Sequence, residues 1–338
     1  MTLSQDPLID RFGREVTYLR MSVTDRCDLR CTYCMAERME FLPRKDLLTL
    51  EELELVAAAF IRRGVKKIRL TGGEPLVRKN FVSLLERLGQ HLGQGLEELT
   101  LTTNGTLLEQ YAQKIADCGV KRINVSLDTL NPDTFRAVTR LGNINTVMRG
   151  IEAAQSVGLR VKINTVVLKN YNAHAIKDMV NWAHERDMDM TLIEVMPMGE
   201  TDEDRFDQYV PMATIREDLE KDWTLVDHDN SDPQSGPSRY VSIKETGGRL
   251  GFITPLTQNF CAGCNRVRVT CTGRIYMCLG QDDYIDLRSL MRENDYSKSV
   301  LDKALDDALF KKPEKHDFEI KRPDSTPAVS RHMSMTGG

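Results

Sequence analysis

Between Tyr18 and Gly199, short β-rich runs alternate with amphipathic stretches, and this alternation limits the fold more than any other feature of the chain. Strand-like runs begin at Tyr18 (YLRMSVT), Lys66 (KKIRLTGG), Glu98 (ELTLTTNG), Arg122 (RINVSLDT), Val161 (VKINTVVLK) and Met190 (MTLIEVMPMG). They recur about every 34 residues, the length of one strand–helix unit. Repeated units of that kind give parallel strands joined by right-handed crossovers. The stretch TLEELELVAAAFIRRG shows the helical half of a unit. Leu53, Val56, Ala57 and Phe60 share one face, Thr49 and Glu52 stand at capping-box spacing, and Gly64 follows the end. A closed eight-unit barrel takes ~250 residues. Six units predict a partial, open (βα)6 barrel of the α/β class, and periodicity leaves a doubly wound sheet as the alternative.

The texture changes after Gly199. Residues 200–238 are rich in Asp, Glu, Pro, Ser and Gly and read as loop with one short helix near Pro211–Lys221. Tyr240–Lys244 and Leu250–Ile253 then read as a hairpin about Gly247–Gly248. The expected organisation is an N-terminal segment 1–17, a barrel region 18–235, a C-terminal region 236–312 and a polar tail 313–338 ending in Gly337–Gly338. The tail composition predicts weak order, and the basic residues around Lys311, Lys312, Lys315, Lys321 and Arg322 read as a solvated linker or a docking surface.

A formal net charge of -4 argues against a basic nucleic-acid binder. No apolar run approaches the ~20 residues of a membrane span, and the first residues lack a secretory pattern. A cytoplasmic location is therefore expected, with no nucleic-acid or membrane partner. In that setting eight cysteines need a reason other than disulfides. Cys27, Cys31 and Cys34 form one group and Cys261, Cys264, Cys271 and Cys278 another, while Cys118 reads as a buried apolar residue.

CDLRCTYC follows the first strand, where parallel βα folds place their active-site loops. Three thiolates are one short of the four that close a [4Fe–4S] cube, leaving one iron open. Zinc is the competing reading, weakened by the absence of histidine within forty residues. This CxxxCxxC with Tyr33 before its last cysteine, followed by Gly72–Gly73–Glu74–Pro75 after the second strand, resembles the radical S-adenosylmethionine superfamily. The resemblance implies that the open iron chelates S-adenosylmethionine, whose reductive cleavage yields a 5′-deoxyadenosyl radical. The glycines are then expected to let the backbone approach the bound methionyl amine.

In CAGCNRVRVTCTGRIYMC, residues 266–271 alternate and Thr272–Gly273 reads as a hairpin turn. Extended chain carries Cys271 ~23 Å from Cys264. The returning strand brings Cys278 back to about the level of Val267. Geometry thus selects Cys261, Cys264 and Cys278 as a second trio and leaves Cys271 a packed thiol. Arg266 and Arg268 share a strand face at ~7 Å, suited to phosphates, unless that face is merely solvated.

Together with the terminal glycines, these motifs narrow the resemblance to the GTP 3′,8-cyclase family, over nearly the whole chain. It implies two [4Fe–4S] clusters, on Cys27, Cys31 and Cys34 and on Cys261, Cys264 and Cys278. It implies S-adenosylmethionine contacts at Tyr33, Gly73, Ser126 and Met196. It also implies GTP contacts at Arg20, Arg69, Thr102, Lys162, Arg266, Val267 (through its backbone) and Arg268, and a C-terminal tail that enters the active site. Arg20, Arg69, Thr102 and Lys162 all fall in strand-like runs, where a buried cation needs a ligand or partner. No protein general base is assigned. Implied partners are a reductant protein and the next enzyme of the molybdopterin pathway, cyclic pyranopterin monophosphate synthase; a homodimer stays open. A radical enzyme acting on a peptide and a non-catalytic iron–sulfur or zinc protein are the alternatives.

Overall fold

The structure is a computed structural model that describes residues 6–337 except 197, 200, 202–204, 229–235, 258–260, 294–296, 317–328 and 330. Its strands are β1 (Tyr18–Ser22), β2 (Lys67–Thr71), β3 (Glu98–Thr103), β4 (Arg122–Ser126), β5 (Arg160–Val167), β6 (Asp189–Glu194), β7 (Leu225–Asp227), β8 (Arg239–Ile243), β9 (Arg249–Ile253), β10 (Arg266–Val269), β11 (Arg274–Tyr276) and β12 (Tyr284–Asp286). All twelve join one sheet, ordered β12-β11-β10-β1-β2-β3-β4-β5-β6-β9-β8-β7. The run from β10 through β1–β6 to β9 is parallel, and antiparallel partners finish both ends.

The expected open barrel of six units is present, and the C-terminal strands extend the same sheet. β9 adds beside β6, whereas β10 adds beside β1, at the opposite end of the six-strand run. Cys261 and Cys264 fall in the sequence between these two strands.

Alternation along the strands separates two environments. Leu19, Met21, Ile68, Leu70, Leu99, Leu101, Ile123, Val125, Val161 and Ile163 belong to the apolar core. Helices such as Leu50–Arg62 close that core with their own apolar faces; Leu53, Val56, Ala57 and Phe60 are all buried there. This helix starts on the expected capping box and stops before Gly64, which sits at φ +94°. The opposite strand faces carry Tyr18, Arg20, Lys67, Arg69, Arg122, Lys162 and Asn164, and all seven line one cavity. Barrel interiors are normally filled with Val, Ile and Leu. This one is polar, so it is built to be filled by something other than its own side chains. Among the described residues, no helix is long and apolar enough to cross a membrane.

Candidate active site

Two adjoining cavities occupy the concave side of the sheet. The first, about 180 Å³, is lined by Cys27, Cys31, Tyr33, Cys34, Gly72, Gly73, Thr102, Ser126 and Met196 among others. The second, about 310 Å³, is lined by Cys261, Cys264 and Cys278 together with Arg20, Arg69, Lys162, Arg266 and Arg268. Asn164, Ile193 and Met196 border both.

The first cysteine loop is held by the end of β2. Gly73 N–H donates to Thr24 O at 2.9 Å and Glu74 N–H to Arg26 O at 2.8 Å. A side chain at Gly72 or Gly73 would collide with the backbone of Thr24 or Arg26. In this structure, then, the two glycines first serve the close approach of β2 to the cysteine loop. We expect Gly73→Ala to lose about half of the reconstituted iron, read by iron assay, with the remaining half retained at the other trio.

Glu74, fully buried, ties this loop to β3. It accepts from Leu76 N at 3.0 Å, Thr103 Oγ1 at 2.8 Å and Asn104 N at 2.6 Å. Burial pushes its carboxyl up to about 8. Asn104 Nδ2 in turn donates to Asp28 Oδ1 at 2.7 Å and lies 3.7 Å from Cys27 Sγ. On the other side Tyr33 Oη donates to buried Asp128 at 2.7 Å. Burial pushes Cys27 up to about 12 and raises Cys31, whose neighbours Cys34 and Cys27 add repulsion. Thiols held this way at Cys27 and Cys31 resist ionisation until a cation joins them.

Among the described residues, no three His, Cys, Asp or Glu side chains converge on a point that would hold a single metal ion. The donor set fits a cluster: soft thiolates only, in threes, each trio at the edge of a cavity.

In the second cavity strand register builds a row of cations. Arg20 pairs with Arg268 on β10 and with Arg69 on β2, so three arginines stand abreast on adjacent strands. Neighbouring strands lie ~4.8 Å apart, and like charges directly opposite are destabilising. One row away Tyr18 stands between Arg266 and Lys67. Burial would raise its phenol, yet Arg69, Arg20, Lys67 and Arg266 bring it down to about 8. Glu98 neutralises Lys67 at 2.6 Å and Arg122 at 2.7 Å. Among the described residues no carboxylate pairs with Arg20, Arg69, Lys162 or Arg268. Burial lowers Arg20 to about 10 and also lowers Lys162, while Arg20 Nε and Arg69 Nε lack partners. A cation row with Arg20 and Lys162 buried, Arg69 and Arg268 half-buried and no acid paired to it is a site for a polyanion.

The hairpin β10–β11 forms as expected, with Arg268 opposite Tyr276 and Val269 opposite Ile275. Continuing that register sets Cys278 level with Arg266, one residue off the expected Val267. Cys271 lies at the far end, fully buried, its carbonyl accepting from Leu48 N at 2.8 Å. Cys264 is brought down to about 6: burial opposes ionisation, but Lys312 and Arg266 outweigh it.

Thr102 lines the first cavity, because β3 places it two residues beyond the Arg69–Thr100 pair. The Val267 side chain belongs to the apolar core; the contact expected of this residue is through its backbone. Other expectations need correction. Cys118 is half-buried at a helix end rather than fully buried. Lys312 is 2% exposed and so is no solvated linker. The tail is ordered where described: Val329 pairs with Met198, and Arg331 lies 4.0 Å over the Tyr276 ring. Arg331 also donates to Gln281 O and Asp282 Oδ1, both at 2.6 Å. Met333–Thr336 forms a short helical turn, and Met333 and Ser334 reach the first cavity. The sequence reading missed Asn164, detectable as the residue two beyond Lys162 on the same strand face, and Lys312, for which a Lys–Pro pair after a helix is too weak a signal.

The Radical SAM superfamily model matches residues 21–183 and the Molybdenum Cofactor Synthesis C model residues 188–318. A GTP 3′,8-cyclase of Rhizobium etli is 60% identical over 338 residues, covering 100% of this chain and 96% of that protein. One of Brucella ovis is 60% identical over 334 residues, covering 98% and 96%. Among solved structures, Streptococcus suis SuiB bound to S-adenosylmethionine aligns with a TM-score of 0.59 at 16% identity, over 89% of this chain and 68% of that one. A second, native anSMEcpe with bound AdoMet and Cp18Cys peptide, aligns at 0.55 and 18% identity over 87% and 83%. At such identities these two speak for the fold. The full-length relatives go further, and the chain belongs to the GTP 3′,8-cyclase family within the radical S-adenosylmethionine superfamily.

Proposed function

We propose that this chain converts GTP to 3′,8-cyclo-7,8-dihydro-GTP, the first step of molybdenum cofactor biosynthesis, and that the two cavities divide the labour. Cys27, Cys31 and Cys34 would hold one [4Fe–4S] cluster, with S-adenosylmethionine against Tyr33, Gly73, Ser126 and Met196. Bound there, the pair supplies one-electron cleavage of a sulfonium and so a carbon radical able to take a hydrogen atom. Cys261, Cys264 and Cys278 would hold the second cluster, whose open iron suits a guanine nitrogen or oxygen.

The observation that carries this reading is the adjacency of a cavity edged by Cys27, Cys31 and Cys34 and an acid-free cation cavity edged by Cys261, Cys264 and Cys278, across Asn164, Ile193 and Met196. Arg20, Arg69, Arg268, Arg266 and Lys162 would take the triphosphate; Thr102, which lines the first cavity, would face the reacting ribose. The protein contributes position and a dry interior, which can together lower a barrier substantially. A peptide substrate fits less well, because a row of arginines without acid partners has no use for a neutral backbone. The reductant, the downstream synthase, dimerisation and a cytoplasmic location belong to the same proposal.

The cyclised product is an isomer of GTP, so mass alone does not identify it. GTP carrying deuterium at ribose C3′ does. With reconstituted protein under anaerobic reducing conditions, the label should leave the nucleotide and appear in 5′-deoxyadenosine. 5′-Deoxyadenosine formed without label would overturn the assignment. Arg266→Ala and Arg268→Ala should each weaken GTP binding by roughly 10- to 150-fold, the loss of charge-assisted bonds of ~1.5–3 kcal/mol. S-adenosylmethionine binding should change far less; equal losses for both ligands, measured by calorimetry, would point to collapse of the second cysteine region.

A further inference from the structure

Lys312 follows the helix Lys298–Phe310, its N–H donating to Leu309 O at 3.0 Å. From there the side chain runs inward and is almost wholly buried. Its ammonium has three donors and meets three acceptors: Arg266 O at 3.0 Å, Met277 O at 3.1 Å and Cys264 Sγ at 3.5 Å. Among the described residues no carboxylate pairs with it. Of the three acceptors, the sulfur is the one that carries charge as a cluster ligand, so the contact at Cys264 Sγ bears directly on the cluster. Lys312 also spans both strands of the β10–β11 hairpin, because Arg266 and Met277 sit on opposite sides of it.

We propose that Lys312 is a positioning residue for the second cluster, holding the Cys264 thiolate against the hairpin and raising the cluster's reduction potential by donating to its ligand sulfur. Hydrogen bonds and net charge at ligand sulfurs are among the levers that set such potentials. The same contact fixes the carbonyl of Arg266, whose side chain lies in the cation cavity. The proposal rests on Cys264 being a cluster ligand.

The test uses full-length, anaerobically reconstituted protein in which Cys27, Cys31 and Cys34 are changed to Ala, so that only the second cluster is seen. Lys312→Met keeps length and removes charge; Lys312→Arg keeps charge. The methionine variant should hold its iron but show a more negative midpoint in spectroelectrochemical titration and altered electron paramagnetic resonance of the reduced cluster. The arginine variant should return towards the parent values. Loss of iron in the methionine variant, restored by arginine, would equally support a cation that holds the site. An unchanged midpoint and spectrum in the methionine variant would overturn the proposal, as would equal iron loss in both variants with the fold intact by circular dichroism. If Cys264→Ala in the same background retains its iron, the reading of Cys264 as a ligand is what fails.

Discussion

Replacing Gly337 by alanine is expected to cut formation of cyclised GTP by roughly 10²-fold or more, while iron content and thermal stability stay near those of the parent. Gly337 sits at φ +71°, a region L-residues with side chains rarely occupy, and its N–H donates to Met333 O at 2.8 Å. A Cβ there would run into Thr71 at the end of β2. Its carbonyl accepts from Arg268 Nη1 at 2.6 Å, so the residue links the tail to the cation row itself. Alanine would have to displace the tail, and Arg268 would lose the contact that aims it. Arg331, stacked on Tyr276, would still anchor the preceding residues, which confines the damage to the site. Gly338, its partner in the expected Gly–Gly ending, lies outside the described residues. Product per chain at matched iron content is the measurement, with 5′-deoxyadenosine formed in parallel as a control. Unimpaired cyclisation would show that this close approach has no catalytic purpose.

How much of this was legible beforehand depended on sequence distance. The six βα units, the capping box at Thr49 and the β10–β11 hairpin follow from local periodicity and turn residues, and all are present. The cations on strands were visible one by one. Their row was not, because Arg268, Arg20 and Arg69 meet only once β10 is laid beside β1, and no local pattern specifies that pairing. Thr102 was carried by the resemblance and not by any local pattern, and only register sets its depth, two residues beyond the Arg69–Thr100 pair and beside the first cavity. Lys312 looked like one charge in a basic tail, and burial inverted that reading. Glycines 72 and 73 were read towards a ligand, while their first neighbours are the chain's own carbonyls.

Changing Cys278 to alanine is expected to lower reconstituted iron from about eight per chain to about four, and Cys271→Ala to leave it at about eight. The two thiols are seven residues apart and differ mainly in which end of one hairpin they occupy. Register sets Cys278 level with Arg266, two residues from Cys264, and it lines the cation cavity with Cys261 and Cys264. Burial raises its pKa, and the neighbouring Cys264 and Cys261 thiols raise it further, as expected for groups that face one another. Cys271 faces elsewhere. It is fully buried near Asp25 and Arg78, and burial pushes it up to about 12, which keeps it a neutral, packed thiol. Cys271→Ala therefore removes one sulfur from a dense interior and should cost stability, on the order of 1 kcal/mol, without touching iron. Iron and sulfide assays on both variants, with thermal melts alongside, separate the two roles. Iron lost from the Cys271 variant and kept in the Cys278 variant would mean that the hairpin register does not choose the ligand.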